Sequence, residues 1–135
     1  MNEHSYIKAV HRLLPPDLLK WKIHDSFVGG VPDAMYAGPS NILFVEYKYV
    51  PKLPKRDSTK IRTTLSAQQV LWLNKMNDFD KKVAVVIGGA DDTNVILTDK
   101  RWETSLTKAE YIKRAISRKD VAAYIQETCQ SKDSI

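Results

Sequence analysis

The sequence predicts a single α/β domain, and three observations carry that prediction. Apolar residues recur at helical spacing near the N-terminus and again after Ser66. Short runs of strand formers, among them Ile42 to Tyr49 and Val83 to Ile87, lie between the helical segments. The segment Ala37-Gly38-Pro39-Ser40-Asn41 is turn chemistry between two such runs, which marks a β-hairpin. The predicted order of elements is α, β, β, β, α, β, β, α, α.

Each element has its own signal. Tyr6, Ile7, Val10, Leu13 and Leu14 define a first helix, ended by Pro15-Pro16. Trp21 to Ile23, with Phe27-Val28 as an extension, form a first strand, and the hairpin pairs Asp33 to Tyr36 with Ile42 to Tyr49. Ser66 and Gln69 form a capping box for a helix from Ala67 to Phe79 that turns Val70, Leu73 and Met76 inward. Val83 to Ile87 reads as a buried strand, Gly88 to Asp92 as a turn and Val95 to Leu97 as another strand. Thr107 with Glu110, and Ser117 with Asp120, cap two final helices. Residues 1–130 therefore make one domain, followed by a polar C-terminal tail at 131–135.

Composition narrows the class. A chain of 135 residues, 43% hydrophobic and 27% charged, can bury one core and is not of disordered composition. The start Met1-Asn2-Glu3-His4-Ser5 is polar and no apolar run approaches membrane-spanning length, so neither secretion nor a membrane span is expected. Cys129 stands alone, which excludes an internal disulfide or a cysteine-based zinc cluster and fits a reducing cytoplasm. His4, His11 and His24 have no metal-ligand spacing, and Gly88-Gly89 is not followed by a phosphate-loop pattern, so no nucleotide cofactor is expected. Trp21, Trp72 and Trp102 are read as core or rim, with Trp102 exposed enough to stack on a base.

The chemistry is concentrated in Gly-Val-Pro-Asp33 and Phe-Val-Glu46-Tyr-Lys48. Side chains alternate along a strand, so Ile42, Phe44, Glu46 and Lys48 share one face. A hairpin centred between Pro39 and Ser40 places Asp33 opposite Glu46, and directly opposed residues have Cβ atoms roughly 5 Å apart. Two carboxylates so close repel unless a cation or a proton lies between them. Mg2+, with Mn2+ as substitute, suits such an oxygen pair and a substrate phosphate. Lys48 is then placed to hold or help deprotonate the attacking water. A turn aspartate and a solvated Glu/Lys pair would account for the same letters. Against that, Glu46 and Lys48 share a face with Ile42 and Phe44, and buried charges without a task are costly.

These motifs resemble the PD-(D/E)XK nuclease superfamily, and most closely its VRR-NUC and Holliday-junction-resolvase-like branch. The resemblance runs from Lys20 to about Gly88 and includes Leu65-Ser66-Ala67-Gln68-Gln69-Val70-Leu71-Trp72-Leu73 and the strand Val83 to Ile87. It implies a restriction-endonuclease-like core, αβββαβ, with a mixed central sheet flanked by helices and a helical C-terminal addition. It also implies that Asp33 and Glu46 bind metal, with the Tyr47 backbone carbonyl as a further ligand. Lys48 then serves the water, and Gln69 approaches the site from the next helix. Many relatives carry an extra acid on the first helix that completes the metal site, and the resemblance makes Glu3, on the helical face of Tyr6 and Ile7, the candidate for it. An N-terminal glutamate favoured by the helix dipole is the alternative reading of Glu3. Tyr47 departs from the small aliphatic residue usual between the Glu and the Lys.

The formal net charge is +5, and the excess is uneven. Lys52, Lys55, Arg56, Lys60 and Arg62 follow the catalytic strand against only Asp57, and Pro51 and Pro54 make the stretch a mobile loop able to close over a nucleic-acid backbone. A second basic cluster, Lys108, Lys113, Arg114, Arg118 and Lys119, is weighed as ordinary helix surface. The expected function is that of a Mg2+-dependent DNA endonuclease, selective for branched or junction DNA. A homodimer is expected because one domain cuts one strand per visit. The alternatives are a sequence-preferring nicking, homing or restriction-type endonuclease and an inactive nucleic-acid-binding module. The resemblance further implies a cytoplasmic setting, in a bacterial or phage-infected cell.

Overall fold

The computed structural model describes residues 1–24 and 29–130. Phe27 and Val28, read above as an extension of the first strand, and the tail at 131–135 lie outside the described residues. Among the described residues nine regular elements follow the predicted order: α1 (Glu3–Arg12), β1 (Leu19–Lys22), β2 (Ala34–Ala37), β3 (Ile42–Val50), α2 (Ala67–Asp78), β4 (Lys82–Gly89), β5 (Val95–Leu97), α3 (Lys108–Arg114) and α4 (Arg118–Gln130). Short 3-10 turns occupy Ala90–Asp92 and Arg101–Glu103.

Side-chain caps set where three helices begin. The Ser66–Gln69 and Thr107–Glu110 boxes are both formed, and a third, Asn2–Ser5, starts α1. Each satisfies amide protons that a helix start leaves without intrahelical partners. Ser117 Oγ likewise accepts from the Asp120 amide at the start of α4. The first helix ends at Arg12, ahead of the two prolines, so Leu13 falls outside it and is exposed, whereas Leu14 is buried.

The five strands lie in the order β1-β2-β3-β4-β5. Only the β3–β4 pair is parallel, because α2 carries the chain back across the sheet between them. Alternation along β3 divides the core between two faces. Leu43, Val45 and Tyr47 pack with Tyr6, Ile7 and Val10 of α1 and with Val121, Ile125 and Cys129 of α4. On the other face Phe44 joins Leu73 and Trp72 of α2, Val83, Val85 and Ile87 of β4, and Tyr111 of α3. The C-terminal helical addition thus contributes one helix to each layer.

Several sequence expectations are corrected. Gly88 and Gly89 belong to β4 rather than to the turn; a Cβ on Gly88 would lie 2.5 Å from the Tyr6 ring, so the glycine lets that ring sit on the strand. Trp102 is 5% exposed, and its indole N–H donates to Asn74 Oδ1 at 2.9 Å, so it is not a base-stacking residue. Trp21, read as core or rim, is 59% exposed on the edge strand β1. The segment after β3 is also no free loop. Ile61 is buried and donates its amide to Leu106 O at 2.8 Å, and Thr59 and Asp57 carbonyls accept from the amides of Lys108 and Ala109.

Candidate active site

Turn and strand geometry bring the acidic residues together. The β2–β3 register pairs Ala34 with Val45 and Ala37 with Ile42, which centres the hairpin between Pro39 and Ser40. One step beyond the last pair, Asp33 stands opposite Glu46. The β1–β2 ladder continues to Asp33, since the Ile23 amide donates to Asp33 O at 2.8 Å, and toward β3 the Asp33 carboxylate accepts from the Tyr47 amide. The C-terminus of α4 holds the far end of the hairpin, where the Ser40 and Asn41 amides both donate to Cys129 O.

The approach to Asp33 needs glycine. Gly30 has φ +88, a conformation that side chains rarely adopt, and a Cβ there would lie 2.4 Å from the carbonyl oxygen of Gln68. The chain entering Asp33 therefore lies directly against the first turn of α2. That contact brings Gln69 to the acids. One amide side chain serves two purposes: Gln69 Oε1 accepts from the Ser66 amide at 2.8 Å, closing the helix cap, while Nε2 donates to Glu46 Oε2 at 3.0 Å.

The remaining partners are few. Lys48 Nζ lies 3.7 Å from Glu46 Oε2. The Tyr47 amide donates to Asp33 Oδ2 at 2.8 Å. Glu46 is 2% exposed, and its Oε1 is buried without a hydrogen-bond partner among the described residues. Burial first, and then the charge of Asp33, push the Glu46 carboxyl up to about 8, against a lowering influence of Lys48. Glu3, in the first turn of α1, is also raised, by burial and then by Asp33. It therefore shares the field of this site. Among the described residues, however, no group of three or more His, Cys, Asp or Glu is arranged to hold one ion.

The donor set fits a hard divalent cation. Two oxygen ligands from adjacent carboxylates, one of them with an unpartnered buried oxygen, match the habit of Mg2+ of taking one or two protein carboxylates and filling its other positions with water and phosphate oxygen. A cation would also relieve the mutual repulsion that raises Glu46.

The basic segment after β3 meets one member of the second basic group, Lys108. Lys52, Lys55, Arg56, Lys60 and Arg62 are all exposed. Lys60 forms an antiparallel bridge with Thr107, and Lys108 Nζ donates to Lys55 O at 3.4 Å, so the segment after β3 lies against the start of α3. Lys108 of the second cluster, separate in sequence, is thereby a neighbour of the first. Long-range backbone pairing of this kind leaves no local sequence signal.

No protein-family model matches the chain, and no curated protein matches it in sequence. Among solved structures it is similar to Hjc, a Holliday junction resolvase from the archaeal hyperthermophile Archaeoglobus fulgidus, with a TM-score of 0.56 and 15% identity over 90% of this chain and 98% of that one. The likeness is one of fold. The chain has the restriction-endonuclease-like arrangement of a mixed five-stranded sheet flanked by helices, with C-terminal helices added.

Proposed function

We propose that the protein is a divalent-metal-dependent DNA endonuclease of the PD-(D/E)XK type, acting on branched or junction DNA. The observation that carries this reading is the buried Glu46 beside Asp33, with Lys48 and Gln69 converging on its Oε2. The fold shared with a Holliday junction resolvase supports the substrate class.

Asp33, Glu46 and the backbone carbonyl of Tyr47 would hold Mg2+ or Mn2+, with Glu3 as a further acid nearby. When bound, the cation supplies positive charge against the scissile phosphate and makes a water more acidic. Lys48, its side chain 19% exposed and tied to Glu46, orients the attacking water at the boundary between protein and solvent. Gln69 holds the Glu46 carboxylate through Oε2, which would leave Oε1 to meet the cation. The water gives up a proton to solvent as its oxygen forms the new bond to phosphorus, the bond from phosphorus to the leaving sugar oxygen breaks, and that oxygen takes up a proton from solvent.

Lys52, Lys55, Arg56, Lys60 and Arg62, joined by Lys108, offer phosphate partners next to the end of β3. A homodimer would present two such sites to a branched substrate. The deciding experiment is a Mg2+-dependent cleavage assay on linear, flapped and four-way-junction DNA. Cleavage of the junction in preference to the linear duplex is expected. Absence of cleavage of any substrate with either Mg2+ or Mn2+ would refute the enzymatic reading and favour an inactive binding module.

A further inference from the structure

We infer that Tyr47, the residue between the two catalytic positions of β3, is the positioning residue of the site, acting through a buried hydroxyl chain that ends on His11. The inference rests on the metal-site reading above and goes beyond it, because it concerns the opposite face of the sheet. Tyr47 and Tyr36 are fully buried. Their hydroxyls are paired at 2.6 Å, and the Tyr36 hydroxyl is paired in turn with His11 Nε2 at 2.8 Å.

The elements joined by this chain matter more than its length. Tyr47 is on β3 with Glu46 and Lys48; Tyr36 is on β2, which Asp33 precedes; His11 is on α1, which carries Glu3. Three hydroxyl and imidazole groups thus tie together the three elements that supply every acid of the site. Tyr47 also reaches the site directly, since its own amide donates to Asp33 Oδ2 at 2.8 Å. A shift of β3 against β2 breaks the hydroxyl pair and the amide contact together.

Apolar packing alone would not specify this. A phenylalanine would fill the Tyr47 position, where the ring meets Tyr6 edge-on with centroids 6.1 Å apart. Phenylalanine can slide along its neighbours, whereas a 2.6 Å hydroxyl pair inside an apolar layer has one geometry. The chain thereby fixes how far Asp33 lies from Glu46, the separation on which a shared cation depends.

The test compares Tyr47→Phe with Tyr111→Phe in the full chain. Tyr111 is another buried tyrosine whose hydroxyl donates to a carbonyl, Thr93 O at 2.6 Å, on an element that carries no acid of the site. Both variants lose one buried hydrogen bond, so thermal melting and circular dichroism report the shared structural cost. Mn2+ binding by titration calorimetry, and kcat and KM for DNA cleavage, report positioning. Tyr47→Phe is expected to weaken Mn2+ binding about tenfold and to lower kcat about tenfold with KM for DNA unchanged, while Tyr111→Phe leaves all three near wild type. His11→Phe, which breaks the far end of the chain without touching the acids, should move Mn2+ affinity in the same direction, and His11→Gln should restore part of it. Wild-type Mn2+ affinity in Tyr47→Phe, or equal losses in Tyr47→Phe and Tyr111→Phe, would overturn the inference. Absence of Mn2+ binding by the wild-type protein would overturn the metal-site reading itself.

Discussion

The buried Glu46 carboxyl should make the metal-free protein less stable as the pH rises, and the size of the effect follows from its surroundings. Burial and the Asp33 charge raise this group from an ordinary 4.5 to about 8. The folded state therefore holds the proton more tightly than the unfolded state. For such an acid the unfolded chain binds fewer protons between the two values, so stability falls across that window. Below about pH 4.5 there is no penalty, and by about pH 8 the penalty is complete. Each pH unit inside the window costs about 1.4 kcal/mol, so going from pH 5 to pH 7.5 costs on the order of 3 kcal/mol.

Glu46→Gln keeps the shape of the side chain and removes its titration. For a chain of this size roughly 3–4 °C of Tm accompanies each kcal/mol. Melting of both proteins in chelator from pH 5 to pH 8 should therefore show the variant gaining about 10 °C on wild type. Taking the difference cancels other groups, including His11, which burial shifts downward and which contributes with the opposite sign. Mg2+ should reverse the trend, because only the ionised carboxylate binds it. Wild type should then be stabilised increasingly with pH, and Glu46→Gln should not. A difference in Tm that stays flat across the window would refute the buried ionisable acid, and equal Mg2+ stabilisation of both proteins would refute its role as a ligand.

Three further predictions concern activity and binding. Asp33→Asn and Lys48→Ala should each lower cleavage by about 10²–10⁴, with DNA affinity in a gel-shift assay kept; near-native cleavage by either would sink the mechanism. Mg2+ and Mn2+ should support cleavage, whereas Ca2+ should bind without turnover because its looser coordination places water poorly; full activity in chelator would contradict this. Changing Lys52, Lys55, Arg56 and Lys60 together to Ala should weaken all DNA alike and flatten the slope of log affinity against log salt by about 0.9 per lost contact. An unchanged slope would move the DNA path elsewhere.

Local rules made much of this molecule legible, and packing hid the rest. The hairpin register could be read because a short turn with Gly, Pro, Ser and Asn leaves little choice of centre, and one centre dictates every pair up to Ala34 and Val45, with Asp33 and Glu46 in the next row. Capping boxes were equally plain, and the Ser66 box held Gln69 in the rotamer that also meets Glu46. The environments of Trp21 and Trp102 were not legible. They depend on which faces the helices cover, and a tryptophan looks alike in sequence whether a helix lies on it or not. The basic segment looked mobile because Pro51 and Pro54 break local structure, but its anchors, Thr107 and Leu106, are more than forty residues away. His11, Tyr36 and Tyr47 gave no signal for a similar reason: each is an ordinary core residue until α1 docks on the sheet.

On the proposed reading the arrangement around Glu46 belongs to a working site rather than a structural one. Were the acids kept only for the fold, Asn and Gln would occupy the same volume, accept the same bonds from the Tyr47 amide and Gln69 Nε2, and carry no repulsion. Instead the protein buries a carboxyl beside another acid, supplies one distant amine at 3.7 Å, and leaves Oε1 without a partner. A bound cation is that partner on the proposed reading. A single variant, Glu46→Gln, should therefore be more stable than wild type above pH 7 without metal and at the same time inactive with it. A structural acid would lose stability on the same change, so the two signs, measured on one protein, separate the readings.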